Sequence, residues 1–247
     1  MKNGEFPPST PAQNYLLSAI PNDVKARLAV HLELIELPLG QSLYESGDKL
    51  KYAFFPTNSI VSLVYVMTNG DSAEISVVGN DGIIGTPLFL GGDSTPHRAV
   101  VQSAGCAYRL PAAVLKEEFK RDSRLQSLLL TYTQSLMTQM AQTAVCNRHH
   151  SVDQQLCRWL LLSLDRIPTN VLTMTQELIA NMLGVRREGV SVAAAKLQKL
   201  GIIEYHRGRM VIQDREKLEQ LSCECYDVVK AECDRLLHYL PDSYKSH

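Results

Sequence analysis

Arg186, Arg187 and Glu188 stand in a row at the head of a helical pattern, and their chemistry suits the edges of base pairs. An arginine can hold guanine O6 and N7 through two parallel hydrogen bonds, and a glutamate can accept from cytosine N4. Ser191 and Val192 follow one turn later on the same outward face. Thr175 and Gln176 open the preceding helical pattern, and a helix N-terminus suits a phosphate oxygen. Lys196, Lys199, Arg207 and Arg209 add positive charge nearby. From Thr173 to Arg215, Lys and Arg number seven and Asp and Glu four, a local +3 in a chain whose formal net charge is -1. On a generic helix such residues make a solvated charged face; the stretch that carries them here is not generic.

Gln176 to Ala195 reads as helix, tight turn and second helix. Ile179, Leu183, Val185, Val190 and Ala193 are apolar where the two helices must bury, and Ala180 is small where they cross. Gly184 stands at the turn, where a positive φ costs glycine nothing. The spacing predicts a capping box, Thr173-Met174-Thr175-Gln176, at the start of this unit and Gly201 at its end. Ile202 to Tyr205 and Met210 to Gln213 then flank His206-Arg207-Gly208-Arg209, a short hairpin with a basic tip. Upstream, Ser151 and Gln154 form a second capping box for a helix from Val152 to Asp165. The apolar face of that helix, with Leu156, Trp159, Leu160 and Leu162, makes a third wall for the unit. A last amphipathic helix runs from about Arg215 to Leu240.

The elements that must carry this unit are of another texture. Proline-rich residues 1 to 12 read as a flexible tail, and a helical pattern covers Asn14 to Leu32. From Leu34 to about Pro111 the chain breaks into short β-rich runs: LIELPLG, SLYES, YAFFPT, SIVSLVYVM, AEISVVG, GIIGTPLFL, AVVQSA and CAYRL. Many short strands without helices between them point to a jelly-roll-like β-roll and against a βαβ architecture. A short helix, Ala112 to Phe119, precedes a long one from about Ser123 to His149. Leu125, Leu129, Tyr132, Leu136, Met140 and Thr143 recur along it at steps of three and four, the spacing of a coiled-coil seam. A dimer along this seam is expected, because a helix-turn-helix protein commonly reads two half-sites. The fold class is therefore α+β. Residues 1–150 form a sensor-like β-roll with the dimerisation helix, Asn147 to Ser151 a hinge, and residues 151–247 a winged helix-turn-helix domain with an extra C-terminal helix.

Composition sets the remaining bounds. At 247 residues, 45% hydrophobic and 21% charged, the chain is an ordinary globular one, and its charge balance gives no global argument for nucleic acid. No apolar run suits a membrane span, and the first residues lack a signal peptide's apolar core, so a cytoplasmic location is expected. The six cysteines, Cys106, Cys146, Cys157, Cys223, Cys225 and Cys233, read as reduced structural thiols. Cys146, His149 and His150 share a helical face with metal-ligand spacing, yet three mixed ligands at a helix end are more often hydrogen-bonded hinge residues, and no metal is assigned. Thiol switching at Cys223-Glu224-Cys225 with Cys233 competes with helix packing. A jelly-roll metalloenzyme would need clustered histidines inside the roll, where only His97 stands, so the chain is not expected to be an enzyme. A DNA-binding dimer without any ligand is the other alternative.

The order of β-rich domain, long helix, hinge and winged helix resembles the CRP/FNR family of bacterial transcription regulators, from about residue 14 onward. The most specific stretch is LTMTQELIANMLGVRREGVSVAAAKLQKLGII, Leu172 to Ile203. The resemblance implies a cyclic-nucleotide-binding-like β-roll, a homodimer on the central helix, a roughly palindromic double-stranded DNA site and contact with RNA polymerase. Arg187 and Glu188 match the family's base-reading pair. The further arginine of cyclic-AMP-dependent members is here Val192. Their phosphate-binding cassette, Gly-Glu-Leu and then Arg-Ser-Ala, corresponds to Gly85-Thr86-Pro87 and His97-Arg98-Ala99. Arg98 is retained, while the glutamate has become Thr86 and the serine Ala99. The Thr-Ser pair of the central helix falls on Met140 and Ala141. These departures remove several hydrogen bonds of about 1 kcal/mol or more each, so tight cyclic AMP binding is not expected. Gly85, Thr86, Arg98, Ala99, Met140 and Ala141 remain the candidate effector residues, for an effector still unknown. The oxygen-sensing branch holds an iron-sulfur cluster on N-terminal cysteines, and this chain has none before Cys106, so no such cluster is expected.

Overall fold

The computed structural model describes residues 9–241; most of the expected N-terminal tail lies outside them, and Pro11–Gln13 form one 3-10 turn. Helices α1 (Tyr15–Ala19) and α2 (Asn22–Ala29) follow, burying Leu16, Leu17, Val24 and Leu28. Asn14 is wholly buried because its amide is fully used. It donates to the Pro56 and Gly82 carbonyls at 2.8 Å each and accepts from Leu17 N.

Seven strands make the β-roll: β1 (Glu33–Leu37), β2 (Ser42–Tyr44), β3 (Tyr52–Pro56), β4 (Ile60–Val66), β5 (Ser72–Val78), β6 (Arg98–Ser103) and β7 (Gly105–Pro111). They pair antiparallel in two sheets, ordered β1-β7-β3 and β2-β6-β4-β5. Leu37, Phe55, Val61, Val78, Val101 and Leu110 join one core with the N-terminal helices. One expected strand is absent. Residues 82–90 give a single bridge, Phe54 to Ile84, and then the short helix α3 (Pro87–Leu90). Gly85 at φ +114° turns the chain off the sheet, and Pro87 has no N–H with which to continue a ladder.

Helix α4 (Ala112–Arg121) leads into α5 (Ser123–His149), whose bounds coincide with those the sequence predicts. Asp122 caps α5 by accepting from Arg124 N and Leu125 N. Gln139 docks the helix on β5, the sheet's edge strand. Its side-chain oxygen accepts from Val77 N at 2.7 Å and from Ser76 Oγ at 2.8 Å, and its amide donates to Val77 O at 3.3 Å. Thus α5 covers an edge that would otherwise leave unpaired backbone groups. This placement corrects the expected seam. Leu125, Leu129, Tyr132, Leu136 and Thr143 are buried within the protomer and Met140 is half-buried. The exposed stripe is instead Leu130, Gln134, Met137, Ala141, Ala144 and Val145.

After the hinge come α6 (Val152–Leu164), β8 (Val171–Thr173), α7 (Gln176–Leu183), α8 (Arg187–Lys199), β9 (Ile203–His206), β10 (Arg209–Ile212), α9 (Arg215–Gln220) and α10 (Glu224–Leu236). Ser151 and Gln154 close the expected capping box on α6. The single expected C-terminal helix is two. The break falls at residues 221–223, where Cys223 takes an extended conformation as the N-cap of α10. α10 packs along α5, with Ser135 Oγ 3.1 Å from Cys233 Sγ, so the C-terminal segment reaches back to the N-terminal half.

Helix α6 does more than wall the reader. Every residue from Gln155 to Leu164 is buried, because α8, α9 and α10 pack on the helix and β5 and β6 of the β-roll hydrogen-bond to it. Gln102 of β6 donates to Ser163 Oγ at 3.0 Å, and Trp159 Nε1 donates to Glu74 of β5 at 2.9 Å. Just past the helix, Arg166 forms a buried ion pair with Asp81 at 2.8 Å. Gly79 lets Arg166 approach this closely: a Cβ there would lie 2.5 Å from the Arg166 Cβ.

Glu74 is the weak point of this contact. Burial pushes its carboxyl up to about 7, outweighing the neighbouring Ser62 hydroxyl, the Trp159 hydrogen bond and the nearby guanidinium groups of Arg158 and Arg166. Its Oε2 has no hydrogen-bond partner among the described residues. With the folded pKa above the unfolded one, the associated stability is complete below about pH 4.5 and is lost as pH rises through 7. Glu74→Gln keeps the acceptor for Trp159 and abolishes the titration. The variant should gain on the wild type by up to about 3 kcal/mol between pH 5 and pH 8 in urea unfolding, and an unchanged difference across that range would refute the assignment.

Candidate nucleic-acid interface

The reader is built from α7 and α8 with α6 beneath them and a three-stranded sheet, β8-β10-β9, at the side. Thr175 is the N-cap of α7, and its hydroxyl accepts from Leu178 N at 3.2 Å. The capping box expected from Thr173 does not form, because Thr173 is taken by β8, opposite Arg209 of β10. Gly184 adopts φ +65° at the turn and Gly201 φ +71° just beyond α8, the left-handed positions that the sequence assigns to them. Ile179, Ala180, Leu183, Val190 and Ala193 are buried as expected, and Val185 is half-buried.

The outward face of α8 carries Arg187, Glu188, Val192, Ala195 and Lys199, all exposed, with Arg186 as the N-cap before them. Val192 is 70% exposed, an apolar side chain left in solvent in the middle of this face. Two expected contacts turn elsewhere. Ser191 is half-buried: its hydroxyl donates to Gln176 Oε1 at 2.6 Å and lies 3.1 Å from Arg187 O. It therefore positions α8 on the first turn of α7. Lys196 is paired with Asp153 of α6 at 2.5 Å, which holds its ammonium above the usual lysine range.

The wing tip is a two-residue turn in which Arg207 has φ +49° and Gly208 φ +79°. Two successive left-handed residues match the right-handed twist of the flanking strands. Gly208 O accepts from Met174 N at 2.7 Å, and Tyr205 Oη donates to Met174 O at 2.9 Å, fixing the wing to the entrance of α7. As a result Thr175, Gln176, Arg187, Tyr205, His206, Arg207 and Gly208 line one open cleft of about 340 Å³. The cleft joins a helix N-terminus to two arginines, a donor set with the chemistry to hold anionic oxygens, beside the exposed face of α8. Arg209 is exposed on β10, the middle strand of the β8-β10-β9 sheet, between Thr173 of β8 and His206 of β9.

The candidate effector residues are less closely gathered. Gly85 lies against Ala53 and Leu88, and Thr86 stands at the N-cap of α3 without capping it. Arg98 pairs in register with Val64 at the start of β6; its Nε is buried and has no hydrogen-bond partner among the described residues. Ala99 is buried, Met140 half-buried and Ala141 exposed. Five of the surface clefts hold 290–550 Å³ each, and none is lined by these six residues. His97 is buried between Tyr44 and Thr95, 3.1 and 2.6 Å away, and burial lowers its pKa. At the hinge His149 is exposed, whereas His150 is half-buried and turned toward α10.

Comparison with known proteins agrees with this architecture. The profile of the cyclic nucleotide-binding domain matches residues 34–122, and that of the Crp-like helix-turn-helix domain matches residues 154–221. FixK2 from Bradyrhizobium japonicum is similar in structure, with a TM-score of 0.65 at 16% identity over 78% of this chain and 98% of its own. A CRP-family transcriptional regulator from Thermus thermophilus gives 0.64 at 17% identity over 76% and 96%. The c-di-GMP-responsive regulator CLP from Xanthomonas campestris gives 0.62 at 16% over 78% and 99%. No curated protein matches the chain in sequence. With these two domains in this order the chain belongs to the CRP/FNR family. It is a DNA-binding transcription regulator that carries a cyclic-nucleotide-binding domain. No helix among the described residues is long and apolar enough to cross a membrane.

Proposed function

We propose that this regulator acts as a cytoplasmic homodimer on a roughly palindromic DNA site, gated by an effector other than cyclic AMP that is held in the β-roll, and that it contacts RNA polymerase. The observation that carries the reading is the cleft joining Thr175, Gln176, Arg187 and Arg207 beside the exposed face of α8. Arg187 and Glu188 read a G·C step. Val192 offers its methyl groups to a thymine 5-methyl, the apolar contact available in a major groove. Thr175, Gln176 and the wing arginines Arg207 and Arg209 hold phosphates and set the register.

Dimerisation is supported by the stripe on α5. Leu130, Met137 and Ala144 repeat every seven residues with Gln134 and Ala141 between them, and Leu130 and Met137 are 48% and 64% exposed. The effector reading rests on Arg98, whose buried Nε, without a hydrogen-bond partner among the described residues, suits an anionic group. Thr86 and Ala99 lack the carboxylate and hydroxyl that would hold a ribose and a cyclic phosphate. A ligand there shifts the reader only if it binds two arrangements of α6 with different affinity.

Three outcomes test this reading. In a selection from random duplexes, Arg187→Ala should relax preference at one position per half-site, costing about 1–3 kcal/mol at the preferred base. Arg207→Ala should instead weaken all sequences alike and lower the salt slope by about 1. The reading fails if both variants bind with unaltered preference and affinity. Met137→Glu should sediment as a monomer and lose tight operator binding; a dimer of wild-type stability would exclude this stripe as the seam. Titration calorimetry should show no micromolar cyclic AMP binding to the wild type, and a saturable micromolar isotherm would remove that part of the reading.

A further inference from the structure

Four side chains from distant parts of the chain meet at the hinge. Cys146 lies in the last turn of α5, and His150 is the C-cap of that helix, its backbone N–H donating to Cys146 O at 3.0 Å. Cys223 is the N-cap of α10 and Cys225 lies in its first turn. Their ligand atoms all fall within 4.8 Å of one another. Cys146 Sγ is 3.6 Å from Cys223 Sγ, and Cys225 Sγ is 3.5 Å from His150 Nδ1. We propose that Cys146, His150, Cys223 and Cys225 form a tetrahedral zinc site that fastens the C-terminal helix to the hinge between sensor and reader.

The geometry carries this assignment. Zn–S bonds of about 2.3 Å and Zn–N bonds of about 2.0–2.1 Å give tetrahedral edges of about 3.8 Å between sulfurs and about 3.5 Å between sulfur and nitrogen. The two separations quoted above sit near those edges. The three sulfurs are buried and form a cluster of their own, separate from the main apolar core. Three thiolates and an imidazole select a soft or borderline cation over magnesium or calcium, and four protein ligands leave no open position, the mark of a structural site.

Two neighbours complete it. His150 presents Nδ1 to the sulfurs, and its Nε2 lies 3.2 Å from the Glu224 carboxylate, so Nε2–H donates outward and leaves the Nδ1 lone pair for the metal. Metal-bound histidines are oriented by this kind of carboxylate contact. Zinc with three thiolates carries a net charge of -1, and the buried Arg158 guanidinium acts electrostatically on Cys146 and Cys225. Arg158 has spare donor capacity: Nη1 reaches Thr143 Oγ1 at 3.3 Å, and Nε has no hydrogen-bond partner among the described residues.

The test uses the full chain, purified under reducing conditions and assayed for metals by mass spectrometry. One zinc per chain is expected in the wild type. Cys223→Ser and Cys225→Ser should reduce it to background, whereas Cys233→Ser, a buried thiol outside the cluster, should retain it. Glu224→Gln should keep the stoichiometry but weaken zinc binding 10-fold or more in chelator competition. Metal-stripped protein refilled with cobalt(II) should show the intense visible absorption of tetrahedral cobalt–thiolate, a readout that does not depend on a variant folding. Wild-type protein that carries no zinc and stays colourless with cobalt would overturn the site. So would an iron–sulfur absorption spectrum, or a Cys146–Cys223 disulfide found by mass spectrometry in protein that has never held metal.

Discussion

The buried pair of Arg166 and Asp81 is the constraint on which the arrangement of sensor and reader depends. Asp81 belongs to the turn after β5 and Arg166 to the end of α6, and both are almost completely buried. Neither charge could stand there alone, since breaking such a pair by removing one partner costs about 3–5 kcal/mol. The turn is shaped for it. Asp81 Oδ1 also accepts from Gly79 N at 3.0 Å, and the bare Cα of Gly79 admits the arginine stem. The pair therefore specifies where the end of α6 sits, and with it the position of the whole winged helix.

A helix buried on both sides transmits position without needing a flexible path. Ser163 and Trp159 of α6 bond to the β-roll, while other residues of α6 pack on α8 and α9. The β4–β5 hairpin reaches further still: Ser72 Oγ lies 3.5 Å from Asn181 O, and Gly184 faces Ala73 across the turn of the reader. Two sets of contacts therefore join the β-roll to α6 and α7. Packed interfaces of this kind switch between discrete arrangements and do not deform continuously. Glu74 reinforces the point. A carboxyl that burial drives toward neutrality, in the same interface as the buried Asp81–Arg166 pair, is the place where the contact is most easily loosened.

Local signals made much of this legible in the sequence. The bounds of α5 follow from a run without glycine or proline, and the helix-turn-helix from apolar, small and glycine positions in register. The Ser151 box and the wing turn are short-range chemistry as well. What escaped were features set by distant partners. Residues 82–90 have the apolar content of a strand, but Gly85 and Pro87 turn them into a bend and a short helix. Residues 215–240 keep a helical pattern through a break that only the position of Cys223 explains. Ser191 has the spacing of a base contact, yet Gln176 lies within 2.6 Å and takes its hydroxyl inward. Spacing alone grouped Cys146 with both His149 and His150; the return of α10 along α5 brings in Cys223 and Cys225 and leaves His149 in solvent.

The seam on α5 shows how such a displacement arises. A helix can serve about three neighbours, each on a strip of its surface. Here β5 claims the strip that contains Gln139, and α10 claims the one that contains Ser135, so the richest apolar positions are spent inside the protomer. What remains is narrow, with small or flexible side chains at Met137, Ala141 and Ala144 and one polar residue, Gln134, among them. A narrow strip of period seven lets two helices approach closely, and a single polar position in it fixes their register at some cost in stability. The same α10 that occupies this strip of α5 also brings Cys223 and Cys225 to Cys146 and His150 at its N-terminal end, so one returning helix decides both which face of α5 stays exposed and what surrounds the end of that helix.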